Sequence, residues 1–208
     1  MAEKTAVFDK IKKDYLLQVA NLGNVSRRCD VLGITIRENT YQIPFFNRRY
    51  RILSDRIIDD KGGAAKHSTS VILCKYLLLC PDTPADDKRL VTYKDFKDAA
   101  PYAGGFKNTA GRPIARHFEG KVDKLEQQCL ALGGQPFDTD VACQSAFQFR
   151  ALPRVPVFLL FNDADDDFPA QCTLLFQINA ASYLDMECLA MIGSTLAAWL
   201  QDNPSDHI

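Results

Sequence analysis

The sequence predicts an α+β fold, with mostly antiparallel strands in an N-terminal meander and a C-terminal three-stranded set, a helical middle and a C-terminal helix. Period-two alternation of apolar residues in two regions predicts the strands, and spacings of three and four residues elsewhere predict the helices. The 208 residues fit one large domain or two small ones, at about 150 residues per domain. Because no repeat, low-complexity segment or linker divides the chain, we assign residues 1–208 to a single domain.

The N-terminal region predicts a helix followed by three strands. Apolar residues of the helix recur at spacings of three and four, and Gly23 is suited to end it. Strands are predicted at 34–36, 41–45 and 49–58, where apolar and polar residues alternate. Pro44 has no N–H to donate, so it should lie at a bulge or an unpaired edge position. The apolar residues of the helix are Phe8, Ile11, Tyr15, Val19 and Leu22.

Helices dominate the predicted middle of the chain. Residues 68–80 are nearly all apolar, which for a helix means burial on most of its surface. Thr92 is a candidate cap of a short helix, with Asp95 at the third position of an imperfect capping box. A further helix ends at Gly133 and Gly134, which suit a left-handed helix end. The apolar face of that helix consists of Val122, Leu125, Cys129 and Leu132.

The C-terminal third predicts three strands and a final helix. Phenylalanine alternates with polar residues over 147–150, and the continuous apolar run 157–161 indicates a central strand buried on both faces. A third strand covers 172–178 and follows a hairpin loop rich in aspartate. Asp185 is a candidate cap for the last helix. The apolar face of that helix consists of Leu189, Ile192, Leu196, Trp199 and Leu200.

Composition excludes several classes of protein. The 25 basic and 26 acidic residues leave a net charge of −1, and 47% of residues are hydrophobic, which argues against disorder and against a general nucleic-acid binder. The longest apolar stretches, 71–80 and 188–200, are shorter than the ~18 residues that a membrane-spanning helix requires. Because the N-terminus carries no secretion signal, we expect a cytoplasmic protein. The odd number of cysteines, seven, favours reduced thiols over a disulfide framework.

The loop before the last predicted strand is the most clearly defined candidate site in the sequence. It carries a run of carboxylates, and hard cations prefer oxygen ligands held in this way. Asp163, Asp165 and Asp167 match alternate positions of a helix-loop-helix calcium loop, but Phe168 stands where that loop needs glycine. A divalent metal at these residues is the one possible cofactor. The alternative is a solvated hairpin turn.

Arginines form a second candidate site. Arg112 and Arg116 are four residues apart on a predicted helix and share a face. Their planar guanidinium groups can bind a carboxylate or phosphate through paired hydrogen bonds. The alternative is a solvated or internally ion-paired face. The glycine-rich segment 62–69 lies at the start of a predicted helix, a position that favours phosphate binding. The residues next to Lys66, however, do not match the sequence motif of the nucleotide-binding loop. Further cationic residues of the arginine group are Arg48, Arg49, Arg51 and His117.

The order of several short motifs indicates a family. They run Tyr41, Ile43, Pro44 and Phe45, then Leu73, Lys75, Tyr76 and Leu77, then Val91, Tyr93 and Phe96, then Tyr102, Phe106, Arg112 and Phe118. They continue with Leu132, Gly133, Gly134, residues 152–157, Asp163, Phe168, Pro169, Ala170, Leu175, Phe176, Tyr183 and Leu184. The chain thus resembles an uncharacterised prokaryotic family, domain of unknown function 3786, over about residues 41–193. The most specific part is the proline-bracketed strand that leads into the acidic loop, and Phe161 departs from the tryptophan common in the family.

The resemblance implies an accessory role near iron–sulfur or corrinoid metabolism, with a separate iron–sulfur or corrinoid protein as partner, because some relatives carry an added iron–sulfur module. Our leading interpretation is a cytoplasmic, non-enzymatic binding or accessory module that engages a protein partner or a small anionic ligand. Tyr102, Arg112 and Arg116 are the candidate ligand-binding residues. The alternatives are a metal-assisted hydrolase or transferase built on the aspartates and a thiol-based redox or cluster-delivery protein. We expect no nucleic-acid or membrane partner, and the oligomeric state is left open.

Overall fold

Two antiparallel sheets lie at the centre of the fold. The computed structural model describes residues 2–38 and 40–202, with side chains from residue 10 onward. The first sheet is a meander in chain order of β1 (Thr35–Arg37), β2 (Thr40–Phe45), β3 (Arg48–Ile52) and β4 (Ile57–Asp59). The second sheet contains β5 (Leu90–Thr92), β6 (Gln135–Pro136), β7 (Ser145–Leu152), β8 (Val155–Asn162) and β9 (Gln171–Gln177), in the spatial order β5-β9-β8-β7-β6.

Helices cover the inner faces of the sheets, on which the buried side chains of the strands lie. Helix α5 packs on β9, α6 packs on β7, α1 packs on α3, and both α4 and α5 pack on α7. Two short 3-10 helices, Tyr93–Asp95 and Ile178–Ser182, extend the ends of β5 and β9. No helix in the described part of the chain is long and apolar enough to cross a membrane. The α-helices are α1 (Ala2–Ala20), α2 (Val25–Leu32), α3 (His67–Leu78), α4 (Ala100–Thr109), α5 (Gly111–Phe118), α6 (Val122–Ala131) and α7 (Met186–Gln201).

The α+β class predicted from the sequence is confirmed, with corrections to individual elements. Strand β8 lies between β7 and β9, and residues 157–161 are buried as predicted for a central strand. The C-terminal set has five strands rather than three, because the short β5 and β6 add to its edges. The third predicted N-terminal strand is wrong in extent, since a turn divides it into β3 and β4. Pro44 lies in β2 beyond the residues that pair with β1, as its missing N–H requires.

An aromatic cluster joins the two sheets. The backbone N–H of Phe46 donates to the carbonyl oxygen of Ala151 at 2.9 Å, and the rings of Phe46 and Phe149 lie 6.4 Å apart. Trp199 of α7 packs edge-on against Phe45 and Phe46, at 5.7 and 5.4 Å between centroids. Phe46 has a φ of 53°, which is unusual for a bulky residue. The ring contacts on both sides stabilise it in that conformation.

Arg154 ties the β7–β8 turn to the N-terminal helices. Its guanidinium donates from Nε to the carbonyl oxygen of Val31 at 2.9 Å and from Nη2 to that of Asp30 at 3.1 Å, at the end of α2. Its backbone N–H donates to the hydroxyl of Tyr76 at 3.2 Å, and that hydroxyl donates to the carbonyl oxygen of Leu32 at 2.7 Å. Burial raises the pKa of the Tyr76 phenol well above its usual range, so the hydroxyl stays a donor at neutral pH.

The final helix begins at the predicted cap. Asp185 accepts a hydrogen bond from the backbone N–H of Cys188 at 2.9 Å, and its carboxylate lies 3.2 Å from the ammonium of Lys75 on α3. Burial acts to raise the pKa of Asp185, but the hydrogen bonds from Cys188 and the charge of Lys75 lower it on balance. The capping carboxylate therefore also links α7 to α3.

Candidate functional site

The structure separates the residues predicted to bind an anion. Arg112 and Arg116 line a shallow pocket on α5, where Arg112 Nη1 donates to Asn108 Oδ1 at 2.7 Å. Burial, followed by the charges of nearby lysines, lowers the pKa of His117 in the same pocket. Tyr102 is exposed and lines a different pocket, which also carries acidic residues. Anion binding by Arg112 and Arg116 stays a prediction, and Tyr102 does not share their pocket.

The aspartate loop is organised by hydrogen bonds to its own backbone. Asp163 Oδ1 accepts from the N–H of Gly120 at 2.8 Å and from that of Ala164 at 2.9 Å. Asp165 Oδ1 accepts from the N–H groups of Asp167 and Phe168 at 2.9 and 2.7 Å. Within residues 2–38 and 40–202, no three His, Cys, Asp or Glu side chains converge to hold a metal ion. Two of the three carboxylates proposed from the sequence as metal ligands, those of Asp163 and Asp165, thus accept backbone hydrogen bonds.

Replacing Asp163 by alanine should lower the free energy of unfolding by about 0.5–2 kcal/mol, because the N–H of Gly120 loses its acceptor. Asp166→Ala is the matched control, since Asp166 is exposed in the same loop and its carboxylate makes no hydrogen bond or ion pair to any described residue. Urea denaturation of the two variants measures the difference. Equal stabilities would show that the Gly120 bond contributes nothing.

Several of the thiols lie where ionisation is disfavoured. Burial raises the pKa of Cys74 to about 12 and raises those of Cys129, Cys172 and Cys188 further. Cys29, which follows two arginines in the sequence, also has a raised pKa because of burial, then Asp30 and Cys80. Since the thiolate is the reactive form, these environments favour packing over redox chemistry.

The glycine-rich segment before α3 is held by an internal carboxylate. Asp59 Oδ1 accepts from the backbone N–H of Gly63 at 2.6 Å and from that of Lys61 at 3.1 Å. A phosphate-binding loop needs such N–H groups to face its ligand. Here Asp59 takes the place that a phosphate oxygen would need.

A cleft that the sequence did not predict lies on the outer face of the second sheet. We call it the β7 cleft. Its floor is formed by Gln148 and Arg150 of β7, Pro156 of β8 and Gln177 of β9, and its volume is about 420 Å³. Gln148 pairs with Gln135 of β6, which also lines the cleft. Because alternate residues of a strand share a face, the sheet presents these side chains side by side.

The loop before β5 forms the wall of the β7 cleft and is fixed by hydrogen bonds. The backbone N–H of Ala85 donates to the hydroxyl of Tyr183 at 2.9 Å, and Asn179 Nδ2 donates to the carbonyl oxygen of Ala85 at 2.8 Å. Tyr183 packs against Tyr76 at 6.2 Å between ring centroids, and the hydroxyl of Tyr76 accepts from the N–H of Arg154 on the opposite rim. The wall and the rim are therefore connected through the core.

The β7 cleft is rich in positive charge. Lys88, Arg150 and Arg154 line it, together with a single carboxylate, Asp86. Among the described residues, Lys88 and Arg150 have no salt-bridge partner within 4 Å, and Arg154 donates only to backbone carbonyls. Asn179 is 8% exposed, and its Oδ1 is buried with no hydrogen-bond partner. The arrangement leaves the cations available to a bound molecule, whereas the buried Oδ1 of Asn179 has almost no surface that such a molecule could contact.

Comparison with protein families gives one match. The model of the family described as "Domain of unknown function (DUF3786)" matches residues 24–199. The chain belongs to this family. No curated protein and no solved structure matches the chain.

A subset of the motifs that carried the DUF3786 resemblance lies at the β7 cleft. The proline-bracketed segment places Pro153, Arg154 and Pro156 in its lining, and Gly133 and Tyr183 line it as well. Sequence reasoning missed the cleft because its residues come from five separate segments of the chain. The signal that could have found it is the alternation in β7, which puts Gln148 and Arg150 on the face opposite the phenylalanines.

Proposed function

We propose that this DUF3786 chain is a binding module that holds a small anionic ligand in the β7 cleft. One observation carries the proposal: three cationic side chains and only one carboxylate line a single cavity. A cavity of about 420 Å³ is within the usual range for small-molecule sites. Arginine in such a site can grip a carboxylate or phosphate through two parallel hydrogen bonds. Arg150 is the best placed for this role, because its guanidinium is not used elsewhere in the described structure.

Binding is supported over catalysis by the chemistry of the lining. The residues that line the cleft include no histidine, cysteine, serine or threonine, which are the usual nucleophiles and general bases. The hydroxyl of Tyr183 already accepts a hydrogen bond from Ala85. Asp86 is the single carboxylate, whereas glycoside hydrolysis and related acid–base chemistry need a pair.

The polar floor indicates more about the ligand. Gln135, Gln148 and Gln177 offer amide donors and acceptors along one face. A ligand that combines an anionic group with hydroxyl or amino donors fits this lining better than a bare apolar acid. We therefore expect a compact, hydrophilic anion.

Titration with inorganic phosphate and citrate, followed by ¹H–¹⁵N NMR of the full chain, tests the proposal. The side-chain amide resonances of Gln135, Gln148 and Gln177 should shift and saturate. The double variant Lys88→Gln/Arg150→Gln should weaken binding roughly ten-fold or more, since each cation contributes a charge-assisted hydrogen bond. Both residues are exposed, so the variant should fold normally.

The double variant Arg112→Gln/Arg116→Gln is the matched control, because it removes two positive charges from the α5 pocket. Wild-type affinity in this variant supports the β7 cleft. Loss of binding here, with normal binding in the first variant, would place the site on α5 as the sequence predicted. No saturable shift of the glutamine amides with either anion would overturn the proposal.

The family resemblance alone supports an iron–sulfur or corrinoid protein as partner, and the N-terminal sequence alone supports the cytoplasm as compartment. Both stay predictions. The metal-assisted enzyme on Asp163, Asp165 and Asp167 is the weaker alternative, because backbone hydrogen bonds already occupy two of these carboxylates.

A further inference from the structure

Two of the cations in the β7 cleft lie on opposite sides of its floor. Arg150 of β7 pairs with Pro156 of β8, and Gln177 of β9 pairs with Leu90 of β5. Continuing the β8–β9 register by one residue places Pro156 beside Gln177, so these four residues form one row across the sheet. Because neighbouring strands are about 4.8 Å apart, the row separates the backbones of Arg150 and Leu90 by about 14 Å. Lys88 precedes Leu90 by two residues and lines the far side of the cleft.

Lys88 is held on that side by the backbone on both sides of it. The N–H of Ile178 donates to the carbonyl oxygen of Arg89 at 2.9 Å, and the N–H of Asn179 donates to that of Asp87 at 3.2 Å. The segment before β5 therefore continues alongside the end of β9. Side chains on a sheet stand roughly perpendicular to it, so the ammonium of Lys88 does not fold across the floor toward the arginine of β7.

The third cation, Arg154, is held by other bonds. Its Nε and Nη2 donate to the carbonyl oxygens of Val31 and Asp30 at 2.9 and 3.1 Å, so it adds positive charge while these N–H groups face α2. Asp86 is the single carboxylate in the lining, and no salt bridge within 4 Å joins it to Lys88 in the part of the chain that the structure describes. Three positive charges and one negative charge leave a net charge of +2 in the lining, which a ligand with two anionic groups neutralises.

The surface between Lys88 and Arg150 is neutral. Gln177 and Pro156 lie between them in the row and form part of the floor, and the wall beside them includes Pro84. Proline rings and an amide can contact a carbon chain, but they offer no charge to an anionic group. The cleft therefore favours a ligand that carries its charges at its two ends.

We propose that the ligand of the β7 cleft is a linear dicarboxylate. This inference rests on the proposed function, because it names the class of anion that the same site binds. The guanidinium of Arg150 binds one carboxylate through two parallel hydrogen bonds, and the ammonium of Lys88 contacts the other. The carbon chain lies over Gln177 and Pro156. A single carboxylate or phosphate is too small to accept hydrogen bonds from both cations while their side chains stand away from the sheet.

Titration of the full ¹⁵N-labelled chain with diacids of increasing length, followed by NMR, tests this inference. Succinate, glutarate, adipate and pimelate form the series, and the side-chain amide of Gln177 reports binding. We expect a saturable shift and an affinity that is highest for glutarate or adipate. The best diacid is then compared with its own monoamide, which keeps the length and loses one charge. The monoamide should bind roughly five-fold more weakly, the size expected for one partly exposed ion pair.

Single variants assign each carboxylate to its cation. Lys88→Gln should lower the affinity of the diacid to that of its monoamide and leave the affinity of the monoamide unchanged, because the carboxylate of the monoamide binds Arg150. Arg150→Gln should weaken both ligands. The matched controls are Lys97→Gln and Arg49→Gln, at exposed residues outside the cleft. Both controls should bind the diacid as the wild type does.

The outcomes separate this inference from the proposed function. If neither the diacids nor phosphate and citrate shift the glutamine amides, both are overturned. If phosphate or citrate binds in the cleft but the diacid binds no more tightly than its monoamide, only the dicarboxylate is overturned. A steady gain in affinity with every added methylene would also overturn it, since such a gain indicates burial of the chain and not two fixed ends. Equal losses for diacid and monoamide in Lys88→Gln would overturn it as well.

Discussion

Replacing Phe45 by alanine is expected to lower the free energy of unfolding by about 3–5 kcal/mol, the usual cost of removing a fully buried ring. Phe45 is 0% exposed, and its ring contacts those of Phe46, Tyr50 and Trp199. The cavity left behind would lie where β2 meets α7. Because that region joins the two sheets, we expect both sheets to be destabilised and to unfold in one transition.

Guanidinium denaturation followed by both far-UV and near-UV circular dichroism measures this effect. Phe168→Ala is the matched control, since Phe168 is 62% exposed and its loss should change stability by less than about 0.5 kcal/mol. Coincident transitions in both signals are expected for one cooperative unit. Two separate transitions would contradict the assignment of residues 1–208 to a single domain, and a loss below about 1 kcal/mol would contradict the burial of Phe45.

Alanine at Gly111 should destabilise the protein by about 1–3 kcal/mol, in the range observed when atoms are forced into a packed interior. The obstacle is the carbonyl oxygen of Cys172, 2.5 Å from the added Cβ. This oxygen belongs to the backbone of β9, which is paired with β8 and cannot move at low cost. Either α5 must shift away from the sheet or β9 must bend.

The same substitution at Gly104 should have the opposite sign. Gly104 is exposed in the middle of α4, and no atom lies within 4 Å of a Cβ built there. Alanine has a higher helix propensity than glycine, so Gly104→Ala should raise the free energy of unfolding by about 0.5–1 kcal/mol. Thermal unfolding of both variants checks the pair. A stabilised Gly111→Ala variant would mean that α5 does not touch β9 as closely as described.

The elements that the sequence predicted correctly are those with long, regular patterns. The alternation at 147–150 and the apolar run 157–161 are found in β7 and β8, and Asp185 caps α7. The short edge strands β5 and β6 of the second sheet were missed, because three and two residues give too little alternation to detect. Helix α4 was missed because it contains two glycines and a proline, which have low helix propensity. Packing of Phe106 against Tyr93 and Phe176 stabilises it instead.

The candidate sites could be predicted only in part. The alternation of side chains along β7 places Gln148 and Arg150 on the outer face of the sheet, and this placement can be predicted from the sequence. Lys88, Arg154 and Asn179 reach the same cleft through loops and turns whose course depends on tertiary contacts.

The hydrogen bonds from Arg154 to the end of α2 have a consequence for biosynthesis. The partners of Arg154, Val31 and Asp30, are synthesised more than a hundred residues before it. Phe46 is likewise synthesised long before its partners Ala151 and Trp199. The rings of Phe45 and Phe46 therefore lack their contact with Trp199 until the last helix has been made. Apolar surface that stays exposed until the last elements are made favours aggregation.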